Sequence, residues 1–452
     1  MARPAQTLNF LGLLLVGGAI ALSPQQTRAL DPDLGRFAAA KQRQLQDYAE
    51  TLTNKLPSIV WSFFDAVRVD DWETATNLAA RLDHISGRFP NSFRIQTSPA
   101  LRSAVWAPIS EMIGAYEEFH KWNNKWLHRF GREIIDSIPR GSVYFGGTDP
   151  GRFLISALSE SHSDGKPFFT LTQNQLADLT YLQYLRKMYG QALSIPSDED
   201  SQKAFEEYIT DAQERLKNGK LEDGEDVRIV NGRVQVSGQV AIMKINGLLV
   251  KIIMDKNTGR QFYLEESFPL TWMYSHLSPH GLIFELHRQP LRTLSAETML
   301  KDQAYWKKFT TDLIGDWIQE RTSLKEICDF VDLTYRKDDL AGFKGDPSYA
   351  RDEEAQKCFS KLRSSIAGLY SWRADQAVDP DEKQQAQKAA DLAFRQAYAL
   401  CPFSPEVLFR YTKLLLDLKR PDDAILAAKT SLRFDPENKA FQDLVRSLTR
   451  AE

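Results

Sequence analysis

The feature that most constrains this chain is a spacing near its C-terminus. Ala390-x3-Phe394-x2-Ala397-x4-Pro402 is followed by Ala424-x3-Ala428-x2-Ser431-x4-Pro436, so Ala390 and Ala424 stand 34 positions apart, as do Pro402 and Pro436. Small residues three and four positions apart share a helix face and let a second helix approach closely. A proline beyond each run cannot continue the helix. The pattern predicts antiparallel helix pairs stacked on one another over residues 356–452, with the first helix over Lys357–Ala377. Two such units bury too little surface to stand alone, so the block is expected to dock on the rest of the chain.

A different signal lies mid-chain. Ile138–Phe153 reads as a short strand (Ser142 to Phe145), a glycine-rich loop, and a helix from Arg152. Gly146, Gly147 and Gly151 permit close backbone approach, Thr148 or Asp149 suits a helix cap, and Pro150 suits a first turn. Further strands are expected at Phe168–Leu171, Arg233–Ser237, Leu248–Met254, Gln261–Leu264 and Leu282–Leu286. Helices are expected at Arg152–Ser161, Gln175–Tyr189 and Ser201–Lys217, with a mobile loop or a hairpin region over residues 218–232. Strand–helix–strand order of this kind builds a small α/β core over residues 138–290. Residues 30–137 read as helical, with a helical hairpin from Pro57 to about residue 89 and a long aromatic-rich helix over Leu101–Ile138. Residues 291–355 read as a helical connector. The fold class expected is mostly α with a central α/β domain.

The glycine loop is the first candidate ligand site, since helix N-termini and loop amides bind anions. Gly146, Gly147, Thr148 and Asp149 would cradle the ligand, Arg152 would pair with a phosphate or carboxylate, and Asn174 and Asp178 would contribute from the next strand-to-helix junction. A plain structural turn, with Asn174 as a helix cap, is the competing reading. No nucleotide motif is present, because the glycines do not follow Gly-x-Gly-x-x-Gly and no Gly-Lys-Ser/Thr follows them. Glu265 and Glu266, adjacent in a strand, point to opposite faces and do not form an acid–base pair. His276-x3-His280 is interrupted by Pro279, so no metal site is expected. No cofactor and no catalytic residue is legible.

The N-terminus pairs Arg3 with an apolar run from Leu8 to Leu22 and small-residue cleavage sites at Ala19-Ile20-Ala21 and Thr27-Arg28-Ala29. This is the pattern of a signal peptide over residues 1–29, with an uncleaved anchor as the alternative. The protein is expected in the periplasm or secreted, with no transmembrane segment after signal removal. A net charge of −3 gives no reason to expect nucleic-acid binding. Cys328, Cys358 and Cys401 lack metal-ligand spacing. Outside the cytoplasm Cys358 and Cys401, on neighbouring helices, either form a disulfide or, with Cys328, pack as buried thiols.

Several blocks carry a family resemblance. Gly141–Phe153, Phe168–Asp178, Tyr181-Leu-x2-Leu-Arg-x2-Tyr189, Gln261–Tyr274 and Leu277-x-Pro-His-Gly-Leu-Ile-Phe284 resemble the extracytoplasmic C-terminal portion of bacterial multi-pass glycosyltransferase-like membrane proteins of unknown function. The resemblance spans roughly residues 60 to 445, and the 34-residue spacing looks like tetratricopeptide repeats. The family's catalytic apparatus is placed in a membrane half that nothing in this sequence matches, so no catalytic residue transfers. The resemblance implies a detached, non-catalytic interaction or scaffold protein of the cell envelope. A protein partner, such as an envelope glycosyltransferase-like membrane protein, would bind its helical repeats. The alternative is a sugar- or phosphate-binding protein or enzyme using the Gly146–Phe153 loop.

Overall fold

A computed structural model describes residues 30–87, 97–222, 224–230, 233–265 and 270–450. The expected signal segment and Glu266 lie outside these residues. The chain is mostly helical, 65% of it, with a small mixed sheet. It divides into two compact units, each drawn from two stretches: residues up to His120 with Arg152–Gly259, and Lys121–Gly151 with Arg260 onward. Sequential boundaries near residues 137 and 290 follow neither unit.

The first unit opens with α1 (Pro32–Ala49), capped by Asp31, which accepts from Asp33 N at 2.9 Å. Its buried stripe is Leu34, Phe37, Ala38, Lys41, Leu45 and Tyr48, a helical repeat containing one cation. Next, α2 (Ser58–Arg68) and α3 (Trp72–Ser86) form the expected hairpin, closed on buried Ala75 and Ala79. The helix expected over 101–138 is broken in two. α4 (Trp106–Lys121) ends and Asn123 caps α5 (Asn124–Ile135) by accepting from Lys125 N at 3.0 Å. A side-chain acceptor offered to the amides of a new first turn outcompetes continuation of the old helix.

Helix α5 already belongs to the second unit, and so does strand β1 (Val143–Gly146). A wide π-helical turn over Pro150–Leu154 leads into the short α6 (Ile155–Leu158), in place of the longer helix expected. Strand β2 (Phe169–Thr172) and helix α7 (Leu179–Tyr189) follow. Tyr189 Oη accepts from Thr170 N at 3.1 Å and donates to Thr170 O at 2.8 Å, and Tyr181 Oη accepts from Thr172 N at 2.7 Å. The terminal tyrosines of the 181–189 block thus satisfy backbone groups of β2. Helix α8 (Asp198–Lys217) starts on a capping box between Ser197 and Asp200.

Of the two forms expected over 218–232, a loop or a hairpin, the described residues carry the hairpin's first strand. β3 (Asp226–Val230) pairs antiparallel with β4 (Arg233–Ser237). The strand expected at Leu248–Met254 lies instead within α9 (Gln239–Lys256). A short apolar run suits either state; here it belongs to 18 helical residues with Ile245, Leu249, Val250 and Ile253 all buried.

In the second unit β1 runs parallel to β5 (Phe262–Glu265), with Gly146 opposite Glu265. Beyond β5 lie β7 (Ile283–Leu286) and β6 (Leu277–His280), both antiparallel to their neighbours. Helix α10 (Ala296–Ile314) is capped by Ser295, which accepts from Thr298 N at 3.1 Å. After α11 (Leu324–Val331) and the one-turn α12 (Pro347–Ala350) come five helices: α13 (Glu353–Gln376), α14 (Pro380–Leu400), α15 (Pro405–Asp417), α16 (Pro421–Phe434) and α17 (Lys439–Arg450). Each packs on the next. Ala390, Ala397, Ala424 and Ala428 are fully buried, where the 34-residue spacing puts helix contacts. Tyr398 Oη on α14 donates to Ala427 O on α16 at 2.9 Å.

A buried ion pair ties α10 to this stack. Arg363 Nη1 donates to Asp302 Oδ2 at 2.8 Å, Arg363 Nε to Gln396 Oε1 at 2.8 Å, and Tyr370 Oη to Asp302 Oδ2 at 2.8 Å. All three cysteines are free and buried, so Cys358 and Cys401 are not joined. Burial holds the Cys401 thiol far above its usual pKa and pushes Cys328 up to about 11. Such thiols stay protonated, and the protonated form does not exchange.

Candidate functional site

The glycine loop is organised around Glu265. The β1–β5 register sets this carboxylate against the end of β1, where it is fully buried. Gly147 N and Thr148 N donate to Glu265 Oε2 at 3.1 and 3.0 Å, and Thr148 Oγ1 donates to Oε1 at 2.8 Å. Thr148 Oγ1 also accepts from Gly151 N at 3.1 Å, so Thr148 makes the cap. Gly151 is required for a concrete reason: a β-carbon there would overlap the Glu265 carboxylate. Burial raises the Glu265 pKa, while the bonds from Thr148 and Gly147 oppose that rise.

The donors expected to cradle an external anion therefore serve an internal one. The expectation for Gly147 and Thr148 is corrected accordingly, because an amide already bonded to a buried carboxylate does not serve a ligand as well. Gly146 supplies the strand end, and Asp149 is half-buried. In the first unit Arg152 is buried, its guanidinium over the Phe153 ring at 4.2 Å and Nη1 at 3.5 Å from Asn174 Oδ1. Arg152 and Asn174 do meet, then, but within the fold. The helix cap expected of Asn174 belongs to Asp178, which accepts from Thr180 N at 2.8 Å.

A second cluster went unread in the sequence. Lys41 Nζ, fully buried, donates to Glu111 Oε2, lies 2.6 Å from His162 Nε2, and donates to Tyr184 Oη at 2.7 Å. Tyr184 Oη in turn donates to Glu111 Oε2 at 2.8 Å. Three ammonium protons thus meet three acceptors, which is complete satisfaction for a buried lysine. Desolvation nevertheless lowers the Lys41 pKa against the pull of Glu111. Burial, with Lys41 and Arg36 nearby, drives His162 well below 6.5. The signal was available: Lys41 falls on the apolar stripe of α1, where an unpaired charge is not tolerated. With every member paired and enclosed, the cluster organises the core and offers no reacting atom to a substrate.

The third feature is a cleft of about 390 Å³ in the second unit, at the connecting loop of the α13–α14 hairpin. Leu294, Met299, Ala377 and Ala386 give it apolar walls, and Arg292, Arg373, Asp379 and Glu382 give it charge. Arg373 Nη1 donates to Leu291 O at 2.8 Å and Nη2 to Ser275 O at 3.1 Å, while its buried Nε has no acceptor. On α15 of the same stack Phe409, whose ring lies 6.3 Å from that of Phe441, and Leu416, seven positions on, are 38% and 46% exposed. No family model, curated protein or solved structure matches this chain. No described helix is long and apolar enough to cross a membrane.

Proposed function

We propose that this chain is a non-catalytic interaction protein of the cell envelope, periplasmic or secreted, that binds a protein partner through C-terminal tetratricopeptide-like hairpins. The observation that carries the reading is the α13–α17 stack, whose small residues recur at 34 positions while Phe409 and Leu416 stay exposed on one face of α15. The two side chains share one face of α15, and a partner helix laid along that face would cover both. The family resemblance adds the envelope location and makes a glycosyltransferase-like membrane protein the natural partner. The alternative, a sugar or phosphate site at Gly146–Phe153, draws little support from amides that already bind Glu265.

The test places a photo-crosslinking side chain at position 409 or 416 of the full chain in its own cells. A reproducible crosslinked protein, lost when the other position carries glutamate, is the expected result. The same crosslinked products with and without that glutamate, or none at all, would refute the reading. Truncation is a poorer test, because removing α14 onward would strip the Arg363–Gln396 bond and the α13–α14 core.

A further inference from the structure

The cleft at the end of the α13–α14 hairpin is lined by two guanidinium groups that enter no ion pair among the described residues, those of Arg292 and Arg373. Arg292 is exposed. Arg373 is half-buried and anchored through Nη1 and Nη2 to backbone carbonyls of Tyr274, Ser275 and Leu291, which orients the fork without neutralising it. Its burial lowers its pKa with no acid to offset the effect. Carbonyl dipoles satisfy N–H groups, but only an anion balances a desolvated cation. Of the acids on the other wall, Asp379 is spent capping α14, accepting from Asp381 N at 3.0 Å, and Glu382 stands one turn further on.

We propose that this cleft takes an extended acidic segment of a partner polypeptide, with a carboxylate held between Arg292 and Arg373 and an aliphatic side chain seated on Leu294, Met299 and Ala386. The inference rests on the interaction reading above and names the chemistry of the partner. Charge complementarity selects the carboxylate, since paired guanidinium donors match its geometry. The apolar wall selects a polypeptide over a bare inorganic anion, which would leave that wall wet. The volume of about 390 Å³ lies within the roughly 300–1,000 Å³ of clefts that enclose a ligand. Glu382, also on the lining, repels a carboxylate, so the acidic residue belongs beside the two guanidinium groups.

The experiment pans the immobilised full chain with a phage-displayed library of random short peptides and measures the affinity of the enriched sequences. The expected result is enrichment of Asp or Glu beside Leu, Ile or Val. Affinity should fall about tenfold with Arg292→Glu, rise with Glu382→Lys, and weaken as salt is added. Arg292 is exposed, so this variant keeps the fold. Met299→Glu gives a second variant on the apolar wall. No enrichment, or peptides whose affinity ignores both Arg292→Glu and Met299→Glu, would overturn the proposal. If crosslinks from position 409 persist while the cleft variants change nothing, the cleft inference fails and the interaction reading stands. If peptides bind the cleft but no partner is ever crosslinked, the reverse holds.

Discussion

His162 gives the fold a pH dependence whose sign and size follow from its surroundings. Its ring is buried, its Nε2 lies 2.6 Å from Lys41 Nζ, and Phe37 packs against it at 5.0 Å. Nε2 accepts from the ammonium, so protonating it would set a second cation against the first. The native pKa accordingly lies well below 6.5, whereas the unfolded chain titrates near that value. Below pH 6.5 the unfolded state binds a proton that the native state refuses, and stability falls as pH falls. The loss grows to about 1.4 kcal/mol by about pH 5.5, from a value near zero at about pH 7.5. The assay is urea unfolding across that range for the wild type and His162→Gln. Glutamine keeps an acceptor for Lys41 but does not titrate, so its stability should fall less steeply by that amount. Other titrating groups, including Asp83, whose carboxyl burial and Glu117 push up to about 7, cancel in the comparison. Parallel slopes for the two proteins would refute the argument.

Glu265→Ala should lower stability by about 2–3 kcal/mol, because three donors of the glycine loop lose their acceptor, and Glu265→Gln by about 1 kcal/mol; chemical denaturation distinguishes them. Equal losses would mean that only side-chain volume matters there. Asp302→Asn should cost about 3–5 kcal/mol by leaving the Arg363 charge buried and unpaired, whereas Asp302→Leu combined with Arg363→Met should recover most of it. Thermal unfolding of the single and double variants checks the pair, and a double variant no better than Asp302→Asn would show the ion pair to be net stabilising.

Much of the helical architecture was legible from local rules. Asp31, Asp71, Ser197 and Ser295 are of the residue types that cap helices, and each accepts a first-turn backbone N–H. The buried small residues of the C-terminal stack were legible too, since period and residue size are properties of the string itself. Where a local rule was ambiguous, reading failed. The run at 248–254 is apolar but for Lys251 and too short for its period to separate strand from helix. The break at Asn123 depends on which of two helices the Asn side chain serves.

The candidate sites divide along the same line. The sequence by itself determined that a glycine loop follows β1, that a cation interrupts the apolar stripe of α1, and that small residues recur at 34 positions near the end. It did not determine what those features face. Glu265 stands 117 positions from Thr148, Glu111 70 positions and His162 121 positions from Lys41, and Asp302 61 positions from Arg363. Strand register delivers the first partner and helix packing the others. Periodicity and capping act over a few residues and can be read in order along the chain. The partner of a buried charge is chosen by desolvation, which acts only once distant segments have closed around it.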